Sequence, residues 1–215
     1  TLIGVDRDPQ ALAKAQDRLA QFGERFVPLA GEHEHLAALL ETVNGGRVHA
    51  VLFDLGVSSM QLDEPERGFS YSREAPLDML MNPQDELTAA VIVNTYTEQQ
   101  LVGVLRDFGE EKSARRISRA ILAARAIKPI TSTTELAELV REAIPAPAKR
   151  TGGNPAKRTF QALRIEINRE IQGLPAAIDA ALGAIVVGGR IAVISYHSLE
   201  DRIVKRRFAK DATES

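Results

Sequence analysis

The stretch VHAVLFDL, residues 48–55, decides how the fold is read. Apart from His49 it stays apolar at consecutive positions until Asp54. A strand without polar alternation is one buried on both faces, as in a parallel sheet covered by helices. Toward the N-terminus the same grammar repeats. Leu2 to Val5 is a short apolar strand ending in Asp6. Pro9 to Phe22 is an amphipathic helix with Leu12, Ala15, Leu19 and Phe22 on one face and Gly23 as its stop. Phe26 to Leu29 is a second strand and His35 to Val43 a second helix. Strand and helix in alternation predict an α/β fold built on a parallel sheet.

Beyond Leu55 the pattern breaks. Residues 56–83 contain turn formers, isolated aromatics and no sustained period, which predicts a long ordered loop anchored by Leu62, Phe69 and Leu77. From Gln84 to Ala156 the signals are helical. Thr97 with Gln100 and Ser132 with Glu135 form capping boxes, Gly109 and Pro129 mark stops, and Leu136, Leu139, Val140 and Ile144 make one stripe. The α/β pattern resumes with a helix carrying Phe160, Leu163, Ile167 and Ile171. A Gly188-Gly189 turn, a strand over Arg190 to Ser195 and a helix opened by Ser198 with Asp201 as its box partner follow. The expected organisation is a core in two parts, residues 1–83 and 157–215, around an inserted helical subdomain at 84–156.

The net charge of -2 conceals a segregation. From Lys112 to Arg164 there are 12 Lys/Arg against three acids, Glu135, Glu138 and Glu142, while the remainder carries 15 bases against 26 acids. Solvated helix faces normally mix signs, so a one-signed excess suits a polyanion, with a nucleic-acid backbone the obvious candidate. No apolar run approaches the ~18 residues of a membrane span and no secretory leader is seen, so a soluble, cytoplasmic protein is expected. The sequence has no Cys, which removes disulfides, thiolate metal sites and cysteine nucleophiles.

Two carboxylates stand at predicted strand ends. Asp8, followed by Pro9, reads as a helix N-cap and needs no further role. Asp6 lies at the carboxyl end of its strand, where open α/β sheets bind ligands and where an acid commonly accepts from ribose hydroxyls. Asp54 repeats that geometry before Gly56. GEHEH at 31–35 is discounted as a metal site because no third ligand stands at a suitable spacing. His197, at the end of a strand beside the presumed cleft, is a candidate for contact with substrate.

VDRDPQAL, LFDLGVSSMQLDEPERGFSYSREAPLDM, FGEEKSARRISRAI, KRTFQALRIEIN and GGRIAVISYHSLEDRIVKRRF, in this order, resemble the RsmH (MraW) family of small-subunit ribosomal RNA (cytosine-N4) methyltransferases. The resemblance spans nearly the whole chain. It implies a class I methyltransferase, Rossmann-like sheet with an inserted helical domain that recognises RNA. The methyl donor it implies is S-adenosyl-L-methionine, and the acceptor a cytidine of 16S rRNA in the small ribosomal subunit. It implies no membrane partner, and a homodimer is compatible with it. By matching motif, Asp6 would hold the ribose hydroxyls, Asp54 and Gln61 would line the cofactor site, and His33 stands where the family usually has a phenylalanine near the adenine. Met60 replaces the usual proline, and Leu80 and Asn82 replace a common arginine and aspartate. Family members carry a first strand and a GGHS-type turn before IGVDRDP and further strands after the last helix, so the expectation is a chain incomplete at both ends.

The exocyclic amine of cytosine is a poor nucleophile that must be held at near-attack distance, ~3 to 3.5 Å, with acceptors for its hydrogens. Asp54, Ser58, Ser59 or backbone carbonyls could supply those acceptors, and no single catalytic residue is assigned. The lack of Cys argues against carbon-5 methylation of pyrimidines, which usually needs a thiolate. Arg67, Phe69 and Tyr71 are candidates to clamp an unpaired base, although Phe69 equally suits a core anchor. Lys149, Arg150, Lys157 and Arg158 are candidates to track phosphate. Two alternatives stand beside the enzyme: a non-catalytic RNA-binding or ribosome-assembly protein on the same scaffold, and a nicotinamide-dependent oxidoreductase, which would leave the basic insert without a purpose.

Overall fold

The computed structural model describes residues 1–58, 61, 64–145 and 154–214; Lys149 and Arg150, Leu62 and Ser59 lie outside the described residues. Two compact units divide the chain, Thr1–Gly56 with Glu170–Ser215, and Val57–Arg169. The long loop and the helix at 157–168, which the sequence boundaries at 83 and 156 gave to the core, therefore pack with the helical unit.

In the first unit, β1 (Leu2–Asp6) is followed by α1 (Pro9–Leu19), β2 (Phe26–Ala30), α2 (Leu36–Asn44) and β3 (Val48–Asp54). Asp8 caps α1 as expected: Gln10 N donates to its Oδ1 at 3.0 Å and Pro9 takes the first helical position. β1 pairs with β2 in parallel, Leu2 opposite Phe26 through Asp6 opposite Ala30. β3 pairs in parallel with β4 (Ile185–Ile194), which α8 (Leu174–Ala184) feeds and α9 (Ser198–Glu214) leaves. Leu36, Leu40, Phe53, Ala177, Ala181 and Ala184 form the core, and Ile3 and Val5 of β1 pack on it together with Val51 of β3 and Val193 of β4. Both strand pairs are thus footed on one apolar cluster.

Two expectations are corrected here. Burial on both sheet faces is not met among the described residues: Leu52 is 65% exposed and Leu2 57%, because only alternate side chains reach the cluster. The Gly188-Gly189 pair is not a turn before a strand but an irregularity within β4. Gly188 has φ 83, and the pairing register slips between Val48 and Ala50.

The second unit carries α3 (Ala89–Thr95), α4 (Glu98–Asp107), α5 (Ala114–Ile127), α6 (Thr133–Ala143) and α7 (Lys157–Asn168). The Thr97–Gln100 capping box is complete. At α6 half the box forms: Ser132 accepts from Glu135 N, while the Glu135 carboxylate accepts from Thr131 N at 3.2 Å. Leu136, Val140, Phe160 and Leu163 are buried on the stripes the sequence marks, each such side chain contributing about 1.5–3 kcal/mol.

The loop between β3 and α3 is ordered by this core, with Phe69, Leu77, Met79 and Met81 among its members. Polar ties hold its backbone. Thr133 Oγ1 donates to Arg73 O at 2.6 Å and accepts from Ala75 N at 3.1 Å. Buried Asn168 accepts from Met81 N at 2.8 Å and donates to Met79 O at 2.9 Å, which holds Met79 at φ 60. Gly68, at φ 72, could not carry a Cβ, which would lie 2.3 Å from Pro76 O.

Candidate functional site

Within the first unit, the end of β1 and the loop after β2 form one polar group. The Asp6 carboxylate Oδ1 accepts from Asp8 N at 2.8 Å and the Asp6 carbonyl accepts from Gly31 N at 3.1 Å, so the acid is fixed at the strand end while remaining exposed. Arg7 reaches Glu32 at 3.1 Å. His33 follows in a short helical turn, His33–His35, half-buried, with Nε2 shielded from solvent and no hydrogen-bond partner among the described residues. Burial, the largest influence, holds its imidazole below the usual 6.5; Glu34 opposes and Arg7 reinforces that. Gly173, just before α8, leaves room for this ring, since a Cβ there would sit 3.1 Å from Nε2. Donor atoms of Glu32, Glu34 and His35 lie within 4.8 Å of one another, but Glu32 is engaged by Arg7.

The end of β3 meets the end of β4 in the same unit. Asp54, exposed, accepts from the Tyr196 hydroxyl at 3.1 Å, and this carboxylate raises the phenol above its usual 10.0. Tyr196 is held in turn through its backbone N–H, which donates to Glu200 Oε2 at 2.9 Å. Glu200 is 1% exposed. Its other oxygen lies 3.2 Å from His197 Nε2, an ion-pair distance, although the direction is too oblique for a hydrogen bond. His197 is therefore turned onto Glu200. Sequence reasoning missed Tyr196 and Glu200; the signal was available in the spacing of YHSLE, where a residue at the start of a helix can reach back to the turn preceding it.

In the second unit, Gln61 is buried and locks a turn with Ser58, whose N–H donates to Oε1 at 3.0 Å. Arg67 donates through Nη2 to the carbonyls of Leu80 and Met81 at 3.0 and 2.8 Å and lies 5.7 Å from the Phe69 ring centre. Phe69 is buried in the core, and Tyr71 meets Phe160 edge-on at 5.6 Å. Lys157 and Arg158 are exposed at the start of α7, where Arg158 Nη1 donates to Glu110 O at 3.2 Å.

What the first unit offers chemically is a pair of exposed carboxylates at the ends of parallel strands. A carboxylate has about four acceptor positions, which suits two adjacent ribose hydroxyls or an amine. The half-buried imidazole of His33, in the turn after β2, contributes an aromatic ring to this polar group. Residues of these types could hold a nucleoside-bearing cofactor.

A model described as the MraW methylase family matches residues 1–215. Ribosomal RNA small subunit methyltransferase H of Mycolicibacterium smegmatis is 59% identical over 208 residues, covering 97% of this chain and 56% of that protein. The proteins of the same name from Mycobacterium marinum and Mycobacterium tuberculosis (strain CDC 1551 / Oshkosh) are 56% and 57% identical, covering 100% and 97% of this chain and 55% and 54% of their own. The chain spans about half the length of the curated relatives it matches.

Proposed function

The chain belongs to the MraW methylase family, and from that premise we propose that it serves S-adenosylmethionine-dependent methylation of the N4 amine of a cytidine in 16S rRNA of the small ribosomal subunit. The observation that carries this reading is the pair Asp6 and Asp54, each closing a parallel strand footed on the same apolar cluster. Carboxyl ends of parallel strands are where such sheets bind nucleosides.

When bound, S-adenosylmethionine supplies a methyl group activated by a sulfonium. Asp6, oriented by Asp8 N–H, would accept from its ribose hydroxyls. His33, neutral by burial, would present its ring to the adenine without adding a charge to the pocket. Asp54, oriented by Tyr196, would accept from the target amine or from the cofactor's ammonium. Gln61, a candidate by motif alone, stands in the second unit, where Ser58 fixes its carboxamide. For the RNA, exposed Lys157 and Arg158 suit phosphate, and half-buried Arg67 and Tyr71 rim the loop that Phe69 anchors. His197 acts from behind, through Glu200.

A methyl-transfer assay on the full-length protein, with assembled small subunits against naked 16S rRNA and mapping of the modified base, tests the proposal. Label on a cytidine N4 is the expected result. RNA binding with no heat on titrating S-adenosylmethionine would instead identify a non-catalytic assembly protein on this scaffold.

A further inference from the structure

The start of α5 gathers positive charge that the reading above does not use. Lys112 precedes the helix, and Arg115, Arg116 and Arg119 follow at helical spacings that place the three on one side. The opposite side does the packing, with Ile117 and Ile121 buried. Arg119 is paired with Glu98 at 3.1 Å. Lys112, Arg115 and Arg116 are exposed and form no ion pair among the described residues. Together with Arg106, at the end of α4, they line an open cleft of about 620 Å³.

One acid lines that cleft, and its charge is directed elsewhere. Glu111 is buried, its carboxylate accepts from Ser113 N at 2.8 Å, and its carbonyl accepts from Ala114 N at 3.3 Å. It thus satisfies donors at the helix start and forms no ion pair with Lys112, Arg115 or Arg116 among the described residues, whereas Arg106 is paired with Asp107 at 2.9 Å. Adjacent like charges on a helix surface are mildly destabilising and contribute nothing to the core here.

The cluster also continues past α5. Arg158 Nη1 donates to Glu110 O, and a Cβ on Gly109 would lie 2.7 Å from Arg158 O, so the start of α7 abuts the turn that leads into Lys112. That close approach brings Arg158 to the turn two residues before Lys112.

We propose that Lys112, Arg115 and Arg116, with Arg106 lining the same cleft, form a docking groove for the phosphodiester backbone of an RNA strand, continued by Lys157 and Arg158. The inference rests on the proposed RNA substrate and locates where its backbone lies. Guanidinium forks match phosphate oxygens, and an open cleft admits a polymer rather than enclosing a small anion. Four of its lining residues are cations, which suits contacts to the phosphate backbone.

The test measures binding of the full-length protein to a 16S rRNA transcript across a salt series, for wild type, for Lys112→Gln/Arg115→Gln/Arg116→Gln combined, for Arg116→Gln alone and for Lys157→Gln/Arg158→Gln. Each lost phosphate contact should lower the slope of log K against log salt by about 0.7, so the triple variant should lose about 2. S-adenosylmethionine binding should stay unchanged, and the melting curve of the triple variant should match wild type, because its substituted side chains are exposed. A wild-type slope in all variants, with methyl transfer intact, overturns the groove and leaves the enzymatic reading standing. A wild type that neither binds the transcript nor transfers methyl overturns that reading, and the groove with it.

Discussion

The Tyr196 hydroxyl donates a hydrogen bond to Asp54 Oδ1 at 3.1 Å, joining the segment after β4 to the last residue of β3. The carboxylate accepts the phenolic proton and repels the phenolate, so Tyr196 ionises above 10.0. Asp54→Asn should bring it down toward that value, read as an earlier rise in phenolate absorbance during an alkaline titration. Tyr96, pushed up to about 12 by burial and its bond to Glu166, should not move. Tyr196→Phe should lower the methyl-transfer rate while leaving S-adenosylmethionine affinity less affected. An Asp54→Asn titration superimposable on wild type would show that the pair does not form in solution.

His33 sets a pH dependence of stability. The unfolded imidazole takes up a proton near 6.5, and the folded one only at lower pH because burial disfavours the charged form. Between those points the unfolded chain binds more protons, so stability rises with pH. The contribution is intact above 6.5 and is lost as pH falls through the folded value. His33→Phe should flatten the decline in denaturation midpoint between pH 7 and 5.5. It should also tighten S-adenosylmethionine binding through its larger apolar face. Parallel midpoint curves for the two proteins would exclude His33 as the source.

Asn168 is the polar pin of the helical unit. At 2% exposure it satisfies the backbone of both Met79 and Met81, and Nδ2 also reaches Arg164 O at 2.9 Å. Asn168→Leu would leave a buried N–H and a buried C=O unpaired, at about 1–3 kcal/mol each. A loss of about 3 kcal/mol by urea unfolding is expected, with the loop at 76–82 becoming the first site of proteolysis. A loss under about 0.5 kcal/mol would mean that water takes over those bonds.

Local chemistry made much of this readable in advance. Asp8-Pro9 and Thr97-x-x-Gln100 form their caps because a cap needs only a few neighbouring residues. The stripe of Leu136 and Val140 follows from side-chain period alone, and the parallel pairing from the alternation of strand and helix. What escaped depends on partners distant in sequence. Asn168 in EIN looks like any helix-end polar residue until the loop 87 residues away arrives to be bonded. Arg67 reads as a base clamp in ERGFSYS, yet it is the carbonyls of Leu80 and Met81 that orient it. Gly188-Gly189 reads as a turn because glycine permits one, and only pairing with β3 makes it a slip in register. For the site itself, Asp6 and Asp54 were legible from strand ends, whereas Tyr196 and Glu200 required knowing how β4 hands over to α9.

Asp6 and Asp8 stand two residues apart, and their substitutions should separate binding from folding. Asp8 is fully buried and accepts from Gln10 N, so Asp8→Ala removes an N-cap at about 1 kcal/mol of stability. Its carboxylate is consumed by the helix, and S-adenosylmethionine affinity should fall no further than the shift in Asp6 orientation entails. Asp6 is exposed, and little of the core depends on it. If it accepts from a ribose, Asp6→Ala loses hydrogen bonds to a charged group, about 1.5–3 kcal/mol, and affinity should drop roughly 10- to 100-fold by calorimetry. Asp6→Asn should fall between the two, since the amide still accepts from Asp8 N but carries no charge. The reverse pattern, with Asp8→Ala impairing binding and Asp6→Ala impairing only stability, would place the cofactor somewhere other than the end of β1.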